Sequence, residues 1–566
     1  MPSTRFTCAC CALLVLAACG GGGGGPSGSS PPVGTTPPSP PPVTIDAADA
    51  ARFLDQATFG VTASDTAHVQ SIGFDAYINE QLAYAPTQYT GYSYTPHTAP
   101  VGCKSDGSSP PDASSLCARS EYSPFQVQRD FFTHALNNPD QLRQRVAFAL
   151  SQIMVVSSVE IYEAYGLADF QNILLKDALG NYRTLLQDVT LSPTMGHYLD
   201  MANSDETNPQ NGTVPNQNYA REVMQLFSIG LVKLNPDGTQ QLDGSGAPIP
   251  TFDGTTIDGF AAVFTGWTYP PLPGANSQWT NPINFDGTMV AFPNHHQGGT
   301  KTLLNGYTVP AGQTPAQDLA NALDDIFNHP NVGPFISLRL IQHLVTSNPS
   351  PGYISRVAAV FANNGQGVRG DLSAVVRAIL EDTEARGAVP GTDVFGHLRE
   401  PALFITSVLR SLGGQSDGVL LRSASSAMGQ PIFDPETVFS FYPPGYQIPG
   451  AQTLAPEFGI DNAATALARA NFVNTLIMQG GAVPDPTVSG STGTTIDLTP
   501  LLGAANTTAL IAQLNQTLMH GSLSAAASNI ILTAANSIAA DSTDPLAAPR
   551  AASYLMLTSA QYQVER

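Results

Sequence analysis

The chain is poor in charged residues, and basic residues are the scarcest of them. Charged side chains make up 12% of the 566 residues, about half of the usual share in globular proteins. Aspartate and glutamate number 44 against 23 lysines and arginines, so the formal net charge is −21. With so few cations, the sequence argues against a nucleic-acid partner and against electrostatic docking on anionic lipid.

Several common catalytic signatures are also missing. The sequence has no His-Glu-x-x-His pair, no phosphate-binding Gly-x-x-x-x-Gly-Lys loop and no Cys-x-x-Cys-His haem motif. These absences exclude the commonest zinc proteases, P-loop nucleotide-binding proteins and c-type haem proteins. They leave open whether the protein is an enzyme of another kind.

The N-terminus carries the clearest targeting signal. Arg5 supplies a positive charge, and Ala12–Ala18 supply an apolar stretch that is too short to span a bilayer. The run Leu16–Gly20 resembles the lipobox of bacterial lipoproteins, in which the cysteine, here Cys19, is lipidated and becomes the first residue. We therefore predict a signal peptide over residues 1–18 and a lipid anchor on Cys19. The alternative is an ordinary secretory signal followed by a chance cysteine.

Residues 19–44 have the composition of a tether. Gly20–Gly25 is an unbroken glycine run, and the Pro, Ser and Thr residues that follow keep a chain extended without a core. Such a spacer holds a folded body away from the membrane in which the lipid anchor sits. In Gram-negative lipoproteins, a residue other than aspartate after the cysteine usually accompanies outer-membrane sorting. We therefore expect a cell-envelope protein that is anchored in the outer membrane.

Two further cysteines lie within an irregular insert at about residues 83–122. Cys103 and Cys117 are surrounded there by Ser, Pro and Gly residues. Outside the cytoplasm, two lone cysteines at this separation favour a disulfide, which stabilises by about 3 kcal/mol on the chain-entropy estimate. Two free thiols are the alternative.

The remainder, residues 45–566, is predicted to be one large, mainly α-helical body. In the first helix, Ile45–Phe59, apolar residues recur at helical spacing, and Asp46 is placed to cap the N-terminus. Similar patterns predict helices along most of the chain, among them Tyr182–Leu191 and Leu372–Glu381, and Leu546–Thr558 is the last.

Long irregular loops interrupt this helical pattern. The stretch Thr268–Pro310 is rich in Pro, Gly and Asn, and it predicts loops with a short β-hairpin at Lys301–Val309. Phe439–Tyr446, which contains two adjacent prolines, predicts a packed turn.

A series of short segments in this body follows a recognisable order. They are Ala51–Leu54, Ala57–Gly60, Gln141–Ala147, Asn218–Phe227, Phe260–Trp267, His295–His296, Lys301–Leu304, His329–Pro330, Arg339–Leu340, Gly370–Leu372 and Arg399–Pro401. Together they resemble a large bacterial family of secreted proteins known as DUF1800. The resemblance covers nearly all of the chain after the tether. It implies a fold but no reaction, because the activity of the family is unassigned. Family members are often encoded beside sulfatase-like proteins, which implies a partner of that kind or a shared pathway.

The segment Asn218–Phe227 supplies the first candidate site residues. On a helix, Asn218 would lie at the start, and Glu222 would lie where the helix dipole favours a carboxylate. In a chain so poor in charge, the neighbouring Arg221 and Glu222 suggest a polar network that either ties helices together or binds a ligand or metal. Many DUF1800 proteins carry Glu and His at the positions of Gln225 and Phe227. This chain departs from that pattern, which weakens the case for a metal site formed by two residues of the helix itself.

The histidine pair His295 and His296 is the sharpest chemical signal. One imidazole of the pair can act as a metal ligand or general base, provided that a remote carboxylate such as Glu222 or Asp200 completes the site. The alternative is a hydrogen-bonded loop histidine. Lys301 is the candidate anion stabiliser.

Two further features are candidate binding elements. Asp200 begins an oxygen-rich loop that continues to Asn208 and can hold calcium, although such loops are also common surface turns. Trp267, one of two tryptophans, is a candidate for stacking on a saccharide or apolar ligand, with core packing as the alternative.

Two classes of function therefore remain open. In the first, the protein is a surface binding or assembly module for a partner protein or an envelope glycan. In the second, it is a metal-dependent hydrolase with a site between the 218–227 helix and the 295–301 loop. Glu222, His295 and His296 would be its catalytic residues and a divalent metal its cofactor. The tether, the long polar loops and the missing catalytic signatures favour the binding module.

Overall fold

The structure, a computed structural model, describes residues 45–98, 120–387 and 394–566. The predicted signal peptide, the lipidated Cys19, the tether and the Cys103–Cys117 disulfide lie outside the described residues. Ile45–Arg566 form one unit. About 51% of the structure is helical and its sheets are small and antiparallel, which confirms the predicted mainly α, multihelical body.

The first helix shows how the local sequence sets an element. It spans Ala47–Ala57 and begins where the Asp46 carboxylate accepts the backbone N–H of Asp49 at 2.8 Å, as predicted. Its buried face includes Phe53 and Leu54, both fully buried. Burial of side chains of this size contributes about 1.5–3 kcal/mol each. The helix is therefore fixed by its cap and by its apolar stripe together.

The helices of the N-terminal half mostly agree with the predicted segments. They span Ala47–Ala57, Ala63–Ile72, Phe74–Ala83, Phe125–Asn137, Gln141–Ser151, Ala164–Asp177, Tyr182–Leu191, Pro193–Tyr198, Asn218–Gln225 and Gly254–Val263.

The helices of the C-terminal half include several that the sequence analysis did not predict. They span Pro315–Asn328, Val332–Leu344, Pro351–Ala362, Leu372–Glu381, Thr383–Arg386, Pro401–Ser411, Val419–Ala427, Ala463–Ile477, Thr507–Met519, Ala525–Ala540, Ala547–Leu557 and Ala560–Gln563. Short 3₁₀ helices lie at Pro293–His295, Leu304–Gly306, Pro456–Gly459 and Thr499–Gly503.

The strands are two residues long and pair antiparallel. The predicted hairpin is confirmed, because Lys301–Thr302 pairs with Thr308–Val309. The remaining pairs are Trp267–Thr268 with Val290–Ala291, His397–Leu398 with Val564–Glu565, and a three-stranded sheet of Gln415–Ser416, Thr494–Thr495 and Gly481–Ala482.

The hairpin packs directly on a helix. A Cβ built on Gly259, in the helix Gly254–Val263, would lie 1.9 Å from the carbonyl oxygen of Thr302. Only glycine allows this approach, so the hairpin that carries Lys301 is held against the helix by backbone packing.

Two further elements follow the helix predicted at Leu546–Thr558, and one of them pairs with a strand of the helical body. The prediction that this was the last helix is wrong, because the four-residue helix Ala560–Gln563 follows and Val564–Glu565 pairs with His397–Leu398. The helix is too short to give a periodic signal in the sequence. The pairing places the end of the chain beside Arg399, which is important for the site below.

No helix in the described ranges is both long enough and apolar enough to cross a membrane.

Candidate functional site

The oxygen-rich loop Asp200–Asn208 contacts two of the predicted site residues, Asn218 and His295. The Asn218 side-chain amide donates to the Asp200 carboxylate at 3.2 Å. Further along the loop, the Asp205 carboxylate lies 3.0 Å from Nδ1 of His295, and the His295 carbonyl accepts the backbone N–H of Glu206 at 3.1 Å. The loop thus joins the start of the helix Asn218–Gln225 to the histidine segment.

The two tryptophans have different environments. Trp279 stacks on His295, with ring centroids 4.0 Å apart and planes at 8°, and the His295 side chain is 30% exposed. Trp267 is buried within the hydrophobic core. Its position agrees with core packing, and its role as a ligand-stacking residue stays a prediction.

His296 is buried and both of its ring nitrogens are used within the fold. Nδ1 lies 2.9 Å from the Thr265 carbonyl oxygen, and Nε2 lies 2.9 Å from the Asp318 carboxylate. Burial alone would raise the pKa of Asp318, but its bonds to His296 and Lys301 lower it below the usual value. His296 therefore has no free nitrogen with which to bind a metal or abstract a proton in this conformation.

Lys301 belongs to the same buried cluster. Its ammonium group lies 2.5 Å from the Asp318 carboxylate and donates to the carbonyls of Gln297 and Gly299. An ammonium group has three N–H donors, and all three are occupied here. The geometry ties the hairpin to the helix Pro315–Asn328, and nothing in it supports the predicted anion-stabilising role.

Glu222 and Arg221 do not form a shared network. Glu222 is buried, and its Oε2 has no hydrogen-bond partner among the described residues. Burial raises the pKa of Glu222. Arg221 is exposed and donates to Gln217 at 3.3 Å. The predicted catalytic and binding roles of these two residues remain untested.

The described ranges also lack a grouped ligand set for a metal ion. Within residues 45–98, 120–387 and 394–566, no three His, Cys, Asp or Glu side chains are placed so that they could hold one. The structure therefore does not gather Glu222, His295 and His296 into a metal centre within these ranges.

A cavity elsewhere concentrates positive charge in this acidic chain. The cavity, here called the arginine-lined cavity, has a volume of about 730 Å³. Ligand sites in proteins commonly measure about 300–1,000 Å³. Its lining includes four arginines, Arg52, Arg386, Arg399 and Arg566, together with His520 and Asp49.

Arg52 organises one wall of the arginine-lined cavity. From the helix Ala47–Ala57 it donates to the carbonyls of Arg386 and Gly387 at 2.8 and 2.9 Å, and to the Asp49 carboxylate at 2.9 Å. These bonds fix the end of the helix Thr383–Arg386 against the first helix. Arg52 therefore acts mainly to position its neighbour.

Arg386 is a cation of the cavity that packs on two aromatic rings. Its guanidinium lies over the rings of Phe53 and Phe74, with centroids 5.4 and 5.5 Å away, and it donates to the Gln56 side chain. Nε and Nη1 are buried without a hydrogen-bond partner among the described residues, and no carboxylate there pairs with it. Burial, together with the nearby Arg52, lowers the pKa of Arg386 to about 9. It is still positively charged at neutral pH.

Arg399 and His520, which also line the cavity, belong to a buried charge cluster centred on Asp55. The Asp55 carboxylate accepts from Arg399 at 2.7 Å and lies 2.6 Å from Nε2 of His520. Burial alone would raise the pKa of Asp55, but Arg399 and His520 together hold it well below its usual range. Glu565 lies 3.7 Å from Arg399, so the positive charge of Arg399 interacts with the carboxylates of both Asp55 and Glu565.

His520 reaches this cluster through an unusual backbone conformation. It ends the helix Thr507–Met519 in the left-handed region, at φ 53 and ψ 34. Histidine tolerates this region better than most residues, and the turn directs its ring towards Asp55. Its Nδ1 is buried and has no hydrogen-bond partner among the described residues.

Sequence reasoning missed this cavity, although part of the signal was present. Arg52 lies in the segment Ala51–Leu54 and Arg399 in Arg399–Pro401, both of which carry the family resemblance. No motif marks Arg386 or His520. Only the fold brings these distant segments together.

Comparison with known proteins gives a family but no reaction. No curated protein and no solved structure matches the chain. The model of a family described as "Protein of unknown function (DUF1800)" matches residues 52–564. The chain therefore belongs to the DUF1800 family, which the order of its short sequence segments also indicated.

Proposed function

We propose that this DUF1800 chain is a cell-envelope lipoprotein that binds an acidic envelope glycan in the arginine-lined cavity. One observation carries the proposal: Arg386, a cation without a carboxylate partner among the described residues, lies in a cavity of about 730 Å³. Carboxylate and sulfate groups are the natural partners of such a guanidinium, because its planar N–H groups match their oxygens.

The charge of the whole chain strengthens this argument. With a net charge of −21, most of the surface repels anions. An acidic ligand is therefore attracted where the arginines gather and is disfavoured elsewhere. A specific site for an acidic saccharide is easier to maintain under these conditions than on a basic protein.

The localisation and the partner belong to the same proposal. A lipid on Cys19 and the Gly/Pro-rich tether would hold the cavity near the outer membrane, where envelope glycans are present. The sulfatase-like partner implied by the family resemblance would act on sulfate esters. The arginine-lined cavity suits sulfate, so the proposed glycan ligand and the proposed sulfatase-like partner both involve acidic, sulfate-bearing molecules.

No observation favours the alternative of a metal-dependent hydrolase. His296 has both ring nitrogens occupied, and the three donors of Lys301 are used by Asp318 and two carbonyls. We therefore propose binding rather than hydrolysis.

The proposal is tested by calorimetric titration of the mature chain with three oligosaccharides of equal length: a uronate, a sulfated and a neutral one. We expect the two acidic oligosaccharides to bind and the neutral one to bind at least tenfold more weakly. Hydrogen bonds to charged groups contribute about 1.5–3 kcal/mol, so Arg386→Gln should weaken acidic binding at least about tenfold.

A matched variant separates this site from general charge effects. Arg550 pairs with Asp544 and does not line the arginine-lined cavity. Arg550→Gln removes the same charge from the chain and should leave the affinity unchanged. The proposal would be contradicted if Arg386→Gln and Arg550→Gln lost equal affinity for the acidic oligosaccharides. It would also be contradicted if the parent bound the neutral oligosaccharide as tightly as the acidic ones.

A further inference from the structure

A second, smaller cavity is linked to the buried charge cluster through His397, which lies 3.5 Å from Glu457 of the cavity lining and 3.7 Å from Glu565. This inner cavity has a volume of about 70 Å³ and is lined by Gln152, Gln225, Arg339, Ser440 and Glu457 together with apolar side chains. A water molecule needs about 10–15 Å³ by this measure, so the space suits a few waters or one small polar group.

Arg339 places a positive charge in the inner cavity. Its guanidinium lies 5.1 Å from the Phe335 ring centroid, and Nη1 donates to Gln342 at 2.9 Å. Among the described residues, no carboxylate forms an ion pair with it. Burial lowers the pKa of Arg339 to about 10, so it keeps its charge at neutral pH.

The other ionisable groups near the inner cavity do not neutralise Arg339. The carboxylate of Glu457 lies 3.5 Å from His397, and the positive charge of His397 compensates its negative charge. Burial alone would lower the pKa of His397, but Glu565 and Glu457 raise it to about 10, so His397 is protonated. Burial and the nearby Arg145 lower the pKa of His343 to about 3, so this histidine is neutral. Arg339 therefore keeps its positive charge without an ion-pair partner among the described residues.

Two polar groups of the lining also lack partners. Ser440 has φ 64, in the left-handed region, and its buried hydroxyl has no hydrogen-bond partner among the described residues. Gln152 donates to Glu400 at 3.3 Å, but its Oε1 has no partner there. A buried hydroxyl without a partner costs about 1–3 kcal/mol, so the Ser440 hydroxyl favours a ligand with an acceptor oxygen. The Oε1 atom of Gln152 is itself an acceptor and does not contribute to the binding of such a ligand.

The rim of the inner cavity is apolar. Leu226, Val438, Phe439 and Pro444 line it, and the Phe439 side chain is 43% exposed. A ligand that places a charged group beside Arg339 would leave an apolar part against this rim.

From this geometry we infer that the inner cavity binds a small organic monocarboxylate, with its carboxylate on Arg339 and its alkyl part at the Val438–Phe439 rim. A single cation without an ion-pair partner matches a monoanion better than a dianion such as sulfate. The cavity is separate from the arginine-lined cavity, so the inference does not depend on the proposed function.

Isothermal titration of the full-length Arg386→Gln variant with hexanoate, hexanol and sulfate tests the inference, because this variant weakens anion binding in the arginine-lined cavity and leaves the lining of the inner cavity intact. We expect hexanoate to bind at least tenfold more tightly than either of the others, because only hexanoate offers both the single charge and the alkyl chain. Equal binding of hexanol and hexanoate would overturn the inference, as would tighter binding of sulfate.

Two variants distinguish a binding role of Arg339 from a structural one. Arg339→Gln removes an uncompensated charge, so we expect an unchanged or higher melting temperature without ligand and at least a tenfold loss of hexanoate affinity. Ser440→Gly suits the left-handed backbone and removes the hydroxyl, so it should keep the fold and weaken hexanoate binding. Arg550→Gln is the control and should bind as the parent does.

Unchanged hexanoate affinity in Arg339→Gln would overturn the inference. If Arg339→Gln fails to fold, Ser440→Gly decides the question, and hexanoate affinity equal to that of the parent would then refute the site.

Discussion

Replacement of Asp55 by asparagine should destabilise the protein measurably, because it removes the centre of a buried charge cluster. Asp55 accepts from Arg399 at 2.7 Å, and Arg399 is 4% exposed. Removing one partner of a buried pair typically costs about 3–5 kcal/mol, because the other charge stays buried. Glu565, at 3.7 Å, still offsets part of the Arg399 charge, so we expect the lower value, about 3 kcal/mol.

This free energy converts into a measurable shift in melting temperature. The entropy of unfolding is about 2.1 cal/mol/K per residue, which over the unit Ile45–Arg566 gives roughly 1.1 kcal/mol/K. Asp55→Asn should therefore lower the melting temperature by about 3 °C in differential scanning calorimetry at pH 7. Asp49→Asn is the matched control, because the Asp49–Arg52 pair has a similar distance of 2.9 Å but Asp49 is 47% exposed. Exposed pairs contribute about 0–1 kcal/mol, so the control should shift by less than about 1 °C.

The pH dependence has a definite sign. Because the pKa of Asp55 is held well below its usual range in the fold, its contribution is present above the unfolded carboxyl pKa of about 3.9 and is lost as the pH falls further. The difference between parent and Asp55→Asn should persist from about pH 5 to 8 and shrink below about pH 4. Equal shifts for Asp55→Asn and Asp49→Asn, or a difference that grows in acid, would refute the reasoning.

Two further predictions concern Glu222 and Cys19. Burial raises the pKa of Glu222, so its ionisation opposes folding as the pH rises above the usual carboxyl value. Glu222→Gln should therefore melt at a higher temperature than the parent at pH 7 and lose that advantage at pH 4, and the reverse order would show that Glu222 has a compensating partner. If Cys19 is the anchor, metabolic labelling with radioactive palmitate should mark the parent and not Cys19→Ser, and the variant should leave the membrane fraction. Equal labelling of both would refute the anchor.

Helix positions followed well from the sequence because apolar periodicity is a local property. Tyr182–Leu191 and Leu372–Glu381 were predicted to the residue, since each carries a regular buried stripe. The helix Ala525–Ala540 was missed because it is mostly Ala, Ser and Asn, and in it only Ile531 and Ala535 are buried. A helix with so narrow a buried face gives almost no periodic signal, although its alanines favour helix.

The site depended on pairings that no local pattern reports. Asp55 and Arg399 are 344 positions apart, and Asp55 and His520 are 465 apart. Their contact results from packing of whole helices. The bonding of the histidine pair was equally hidden in the sequence, since only the fold shows that both ring nitrogens of His296 contact Thr265 and Asp318.

The Phe439–Tyr446 segment shows how a correct prediction of a turn can miss a cavity. It is a turn, as predicted, but Phe439, Ser440 and Tyr442 line the inner cavity. Prolines and aromatic residues indicate a packed turn equally well whether or not a cavity lies beside it, so the sequence could not distinguish the two.

The most direct test of the central claim is a crystal structure of the protein soaked with a uronate oligosaccharide. The account predicts electron density for the sugar in the arginine-lined cavity, with a carboxylate group against Arg386. Density for the sugar only at the half-buried Trp279–His295 stack, or an empty arginine-lined cavity at a saturating concentration, would contradict it.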